Sequence, residues 1–79
     1  MEMIEKIIKE MQQASQERFL SLFVIKGSIK DVIEIQITGL NNRQVKQKIK
    51  KTIRELPKDT LITGAQFGTT SVCKTVDFE

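Results

Sequence analysis

Phe19-Leu20-Ser21-Leu22-Phe23-Val24-Ile25, with its return Val32-Ile33-Glu34-Ile35-Gln36-Ile37-Thr38, is the stretch on which the fold turns. Side chains alternate across a strand, so Leu20, Leu22 and Val24 face one way and Phe19, Phe23 and Ile25 the other. Both sets are apolar. A strand of that kind lies inside its sheet, or has its second face covered by something else. The return strand alternates apolar with polar: Ile33, Ile35 and Ile37 point inward, Glu34 and Gln36 to water. The turn falls within Lys26-Gly27-Ser28-Ile29-Lys30-Asp31, and residues 19–38 read as a β-hairpin.

A helix flanks this hairpin on each side. Over 2–16, Ile4, Ile7, Ile8, Met11 and Ala14 recur at helical spacing, and Glu2→Lys6 and Glu5→Lys9 are favourable pairs four residues apart. Over 42–56 the apolar stripe is Val45, Ile49, Ile53 and Leu56. Asn41 and Gln44 have the spacing of a capping box, and Leu40 and Val45 that of a hydrophobic staple. Pro57 ends the helix. A second hairpin spans 60–78, from Leu61-Ile62-Thr63-Gly64-Ala65-Gln66-Phe67 through a turn at Gly68-Thr69-Thr70 to Ser71-Val72-Cys73-Lys74-Thr75-Val76-Asp77-Phe78. Gly64 inside its strand marks a bulge or a close backbone approach.

The expected class is therefore α+β, ordered α-β-β-α-β-β, with a four-stranded antiparallel sheet carrying two helices packed on one face. A shift of 41 residues lays Ile4 on Val45, Ile8 on Ile49, Leu20 on Leu61, Gly27 on Gly68 and Ile35 on Val76. That match has two readings: an internal duplication, or two helix–hairpin units of equal length with few identities.

The 79 residues suffice for a single domain. A chain this short buries only roughly 60–65% of the surface it exposes when unfolded, so its stability is expected to be marginal, with a partner or a second copy as one source of it. No apolar run is long enough for a transmembrane helix. The charged, periodic start at Met1-Glu2-Met3-Ile4-Glu5-Lys6 does not fit a signal peptide, so a cytoplasmic protein is expected.

The net charge is +3, and its basic part is local. Residues 41–58 hold Arg43, Lys46, Lys48, Lys50, Lys51, Arg54 and Lys58 against Glu55 alone. At 100° per residue, Arg43, Lys46, Lys50 and Arg54 form a row beside the apolar stripe, with Lys51 and Lys48 further round. Such a row suits a phosphate backbone or an acidic protein surface, and it is also what a solvated helix face looks like. Against nucleic acid stand the absence of Trp and Tyr, which leaves no evident stacking platform, and the lack of zinc-finger, RNP or GxxG spacing.

Catalysis is disfavoured by composition. There is no His and one Cys, so the usual proton-transfer and thiol–imidazole pairs cannot be assembled within the chain. No spacing suggests a metal site or a paired-carboxylate site. Cys73 is expected to be a buried or half-buried structural thiol, and Gly68-Thr69-Thr70-Ser71 a plain turn, since it lacks the phosphate-loop framework. Met1, Met3 and Met11 read as tail and core. The expectation is thus a small non-catalytic, regulatory binding protein with no cofactor and no evident small-molecule substrate. It would act through contact with another protein or a second copy of itself, by way of Phe19, Phe23 and Ile25. The alternative is a nucleic-acid-binding accessory protein that uses Arg43, Lys46, Lys50, Arg54 and Lys51.

Overall fold

Strand β1 (Phe19–Lys26) lies inside a four-stranded sheet, the first of the two arrangements its apolar faces suggest. The computed structural model describes residues 2–11, 16–69 and 71–78. Antiparallel neighbours of β1 are β2 (Ile29–Gln36) and β3 (Thr60–Gly68), and β4 (Cys73–Asp77) pairs with β3. The order is β2-β1-β3-β4. Helix α1 (Glu2–Glu10) precedes the first hairpin and α2 (Asn42–Arg54) the second.

The hairpin register left open by the sequence is set by a two-residue turn. Lys26 pairs with Ile29, and Gly27 has φ 65 while Ser28 is not left-handed. This is the type II′ pattern, whose twist matches that of the strands it joins. Strand β2 consequently begins at Ile29, earlier than alternation from Val32 suggests, and ends at Gln36; Ile37 is buried just beyond it.

One face of the sheet supplies Leu20, Leu22, Val24, Ile35, Ala65, Phe67 and Val76 to a single buried cluster, which also holds Ile4, Ile7 and Met11 of the first helical segment and Val45 and Ile49 of α2. Among the described residues no polar or charged side chain is buried there. Ile8, Ile33, Leu40, Ile53, Leu56 and Phe78 pack half-buried around it. The regular part of α1 stops at Glu10, and Met11 closes the last turn with its N–H on Ile7 O at 3.1 Å. Residues 12–15, Ala14 included, lie outside the described residues, as does Thr70 of the second turn.

Helix α2 begins where the sequence places it. Gln44 N–H donates to Asn41 Oδ1 at 2.9 Å and Asn41 N–H to Gln44 Oε1 at 3.0 Å, a reciprocal capping box. It ends at Arg54 with Glu55 as cap, just short of the 56 suggested by the stripe, because Leu56 N–H already turns back to Ile53 O ahead of Pro57.

Strand β3 breaks the alternation once. Phe23 pairs with Gly64 but Val24 with Ile62, so Thr63 is an extra, bulged residue. Its hydroxyl donates to Phe23 O at 3.3 Å and its carbonyl accepts from Phe78 N–H at 3.1 Å. Gly64 is needed beside it: a Cβ there would lie 2.9 Å from Val76 O and 3.4 Å from the Phe23 ring. The bulge turns Ile62 to the core side and Leu61 to the opposite one.

Candidate functional site

Strand pairing arranges the sheet face opposite the core in rows. Gln36, Phe19, Gly68 and Cys73 form one, and Glu34, Ser21, Gln66 and Thr75 the next. Val32, Phe23, Gly64 and Asp77 form the third, and Lys30, Ile25 and Leu61 the fourth. The apolar side chains therefore collect at one end. Phe23 and Ile25 are half-buried, while Val32 is 54% and Leu61 60% exposed. Phe23, Ile25 and Val32, with Lys30, Asp31, Thr63 and Asp77, line an open concavity of about 760 Å³.

Of the three residues expected at a protein interface, the fold brings Phe23 and Ile25 together. Phe19 stands on the same face, but four residues along the strand, roughly 13 Å away, across the polar row of Ser21 and Gln66. Val32 and Leu61 complete the patch. Val32 was legible as outward, since Ile33, Ile35 and Ile37 point in. Leu61 was not, because only the bulge at Thr63 turns it out. Its one signal was Gly64.

Cys73 is a correction. It is exposed, not buried. The pairing of Ala65 with Val76 commits Val76 to the core side, so Cys73, three residues earlier, falls on the opposite face beside Gly68.

On α2, Arg43, Lys50, Lys51 and Arg54 are exposed and Lys46 is half-buried. Arg43 and Arg54 are about 16 Å apart along the axis at 1.5 Å per residue. Among the described residues, none of these five cations forms an ion pair; the two ion pairs are Lys26 with Asp31 at 3.7 Å and Lys74 with Glu10 at 2.7 Å. Lys48 behaves differently: its Nζ donates to Gln36 O, on the outer edge of β2, at 2.6 Å. At the other sheet edge Lys6 Nζ donates to Asp77 O at 2.8 Å and lies 5.9 Å from the centre of the Phe78 ring. The hydrogen bond and charge of Lys74 hold the Glu10 carboxyl below the usual carboxylate range.

Among the described residues no group of His, Cys, Asp and Glu is placed to hold a metal ion, and no helix is long and apolar enough to cross a membrane. Comparison with protein-family models, with curated proteins and with solved structures finds no match.

Proposed function

We propose that this chain is a non-catalytic, regulatory binding protein of the cytoplasm that works by contact with another protein or with a second copy of itself. The observation that carries the reading is the apolar end of the sheet face: half-buried Phe23 and Ile25 with exposed Val32 at an open concavity, and exposed Leu61 beside Ile25. Apolar side chains gathered in this way on a small domain are the usual material of a contact surface, and an aromatic at the centre of such a patch tends to dominate its energetics. The test is affinity capture from the native host, with and without nuclease, comparing wild type with the double variant Phe23→Ser, Leu61→Ser. A protein retained after nuclease by wild type and lost by the variant, whose fold is checked by circular dichroism, is the expected result. Equal capture by both would sink the assignment of this surface.

The cation row supports a second reading, binding to nucleic acid, because its exposed members have no acidic partner among the described residues. If Arg43, Lys46, Lys50 and Arg54 neutralise phosphates on duplex DNA, log K falls with log salt at a slope of about −3 to −4. Reversing two of the charges then abolishes binding with the fold intact. No mobility shift with DNA or RNA at low salt would end this reading.

A further inference from the structure

Among the described residues, the outer edge of β2 pairs with no other strand. Three observations agree on which of its backbone groups point away from β1. The two-residue turn makes Lys26 and Ile29 a mutually hydrogen-bonded pair, so the odd-numbered residues bond to β1 and the even-numbered ones point outward. Val32 N–H is met by the Asp31 side chain at 2.8 Å and not by a strand. Gln36 O is met by Lys48. The outward-facing backbone is thus that of Lys30, Val32 and Glu34, with Lys48 closing the run at Gln36. This edge also carries two of the most exposed large apolar side chains of the described residues, Ile29 at 69% and Val32 at 54%. Native proteins normally blunt such an edge.

We propose that β2 pairs antiparallel with β2 of a second copy, joining two sheets into one of eight strands, with Val32 opposite Val32 on the two-fold axis. The proposal deepens the contact reading given above, in its second-copy form, and rests on it. One register brings the opposite charges together. With Val32 on the axis, Lys30 faces Glu34 of the second copy and Glu34 faces its Lys30, both on the face that carries the Phe23 patch. On the core side, exposed Ile29 meets Ile35 and Asp31 meets Ile33. Slipping the pairing toward the turn sets Asp31 against Asp31 and Lys30 against Val32. Slipping it the other way sets Glu34 against Val32 and calls on Gln36 O, which Lys48 already holds. Opposite charges directly across strands stabilise a sheet and like charges destabilise it; both slips lose the two Lys30–Glu34 pairs, and the slip toward the turn adds the Asp31–Asp31 repulsion. Within one chain Lys30 and Glu34 are four residues apart along a strand, roughly 13 Å, and do not pair with each other. Asp31 Oδ1 releases Val32 N–H to the carbonyl of the second copy. The cation row is left clear, because Lys48 faces this edge while Lys46 and Lys50 lie about 160° round the helix from it. The pairing also doubles the apolar face, placing the two Val32 side chains between two Phe23 patches.

The test uses the full chain. Sedimentation equilibrium of wild type is expected to show a monomer–dimer equilibrium. Val32→Pro removes an N–H that, among the described residues, only Asp31 uses, at an edge position where proline is tolerated; it abolishes the dimer while circular dichroism stays unchanged. Lys30→Glu and Glu34→Lys each weaken self-association roughly tenfold by setting like charges across the axis, and mixing the two variants restores pairing between them. Val32→Cys in a Cys73→Ser background oxidises to a covalent dimer, since hydrogen-bonded residues on the axis have Cα atoms about 5.5 Å apart, within disulfide reach. Lys30→Cys in the same background does not. A wild type monomeric at every soluble concentration overturns the pairing, whatever partner the Phe23 patch captures. A dimer that survives Val32→Pro and ignores the charge exchange overturns the edge assignment and leaves self-association through another surface. Loss of partner capture by the Phe23→Ser, Leu61→Ser variant, with dimerisation intact, supports both surfaces separately.

Discussion

Leu20 and Leu61 stand at equivalent places in the two helix–hairpin halves, 41 residues apart. Leu20 is fully buried and Leu61 is 60% exposed. The halves otherwise follow one plan: shifted by 41, the span of β1 falls on that of β3, and the inner strands β1 and β3 meet antiparallel with β2 and β4 outside them. What separates the leucines is the bulge at Thr63, which inserts one residue ahead of Ala65 and Phe67 and reverses the facing of everything before it. The first half keeps strict alternation and contributes buried core. The second gives up one leucine to the surface and, with Val32, Phe23 and Ile25 of the first, makes a patch that neither hairpin has alone. A single extra backbone residue converts a core position into a contact position.

The difference between the halves can be broken at several places. The largest effect is expected from the leucines themselves. Leu20→Ala should cost about 2–5 kcal/mol in urea unfolding, the range for a buried leucine that leaves a cavity, and Leu61→Ala within about 0.5 kcal/mol. Equal costs would mean that Leu61 is covered in solution. Next comes Gly64→Ala, expected to cost about 1–3 kcal/mol because its Cβ must be accommodated against Val76 O, a backbone atom that cannot rotate away. A neutral result would show that the bulge relaxes freely. Asn41→Ala should cost about 1 kcal/mol by removing the side-chain half of the α2 capping box, read from the same unfolding curves.

The smallest effect concerns pH. Glu10 is held below the usual carboxylate range, first by its hydrogen bond and then by its attraction to Lys74. A carboxyl lowered on folding contributes stability above its ordinary pKa, and that contribution is lost as pH falls through the lowered value. The pair is exposed, so the contribution is small. NMR titration of Glu10 should return to the ordinary range in Lys74→Ala, and a titration unchanged by that substitution would remove Lys74 as the cause.

Much of the architecture was legible because it was written in local chemistry. Asn41 and Gln44 specify a helix start by their spacing, Pro57 specifies where it cannot continue, and an apolar residue at every position of Phe23-Val24-Ile25 points to a strand inside its sheet or covered on its second face. The sheet order bears out the interior place of β1, between two neighbours, while its second face, with Phe23 and Ile25, stays half-buried beside an open concavity. The candidate surface was legible in part. Phe23 and Ile25 follow from alternation alone. Leu61 and Cys73 do not, because the facing of a residue in β3 or β4 depends on register against strands far away in the chain, and a shift of one residue reverses it. The pairing of Phe23 with Gly64, where the slip occurs, joins residues 41 apart, and no local pattern records it.

The short strand β4 has a consequence for how the molecule opens. It pairs with β3 alone, and its other edge is held from α1, by Lys6 on Asp77 O and the Phe78 ring and by Glu10 on Lys74. Native-state amide exchange should therefore find the first helix and the last strand protected to the same degree and released in one sub-global event, while β1, locked between two neighbours, exchanges only when the whole domain unfolds. Two segments at opposite ends of the sequence would then behave as one cooperative unit.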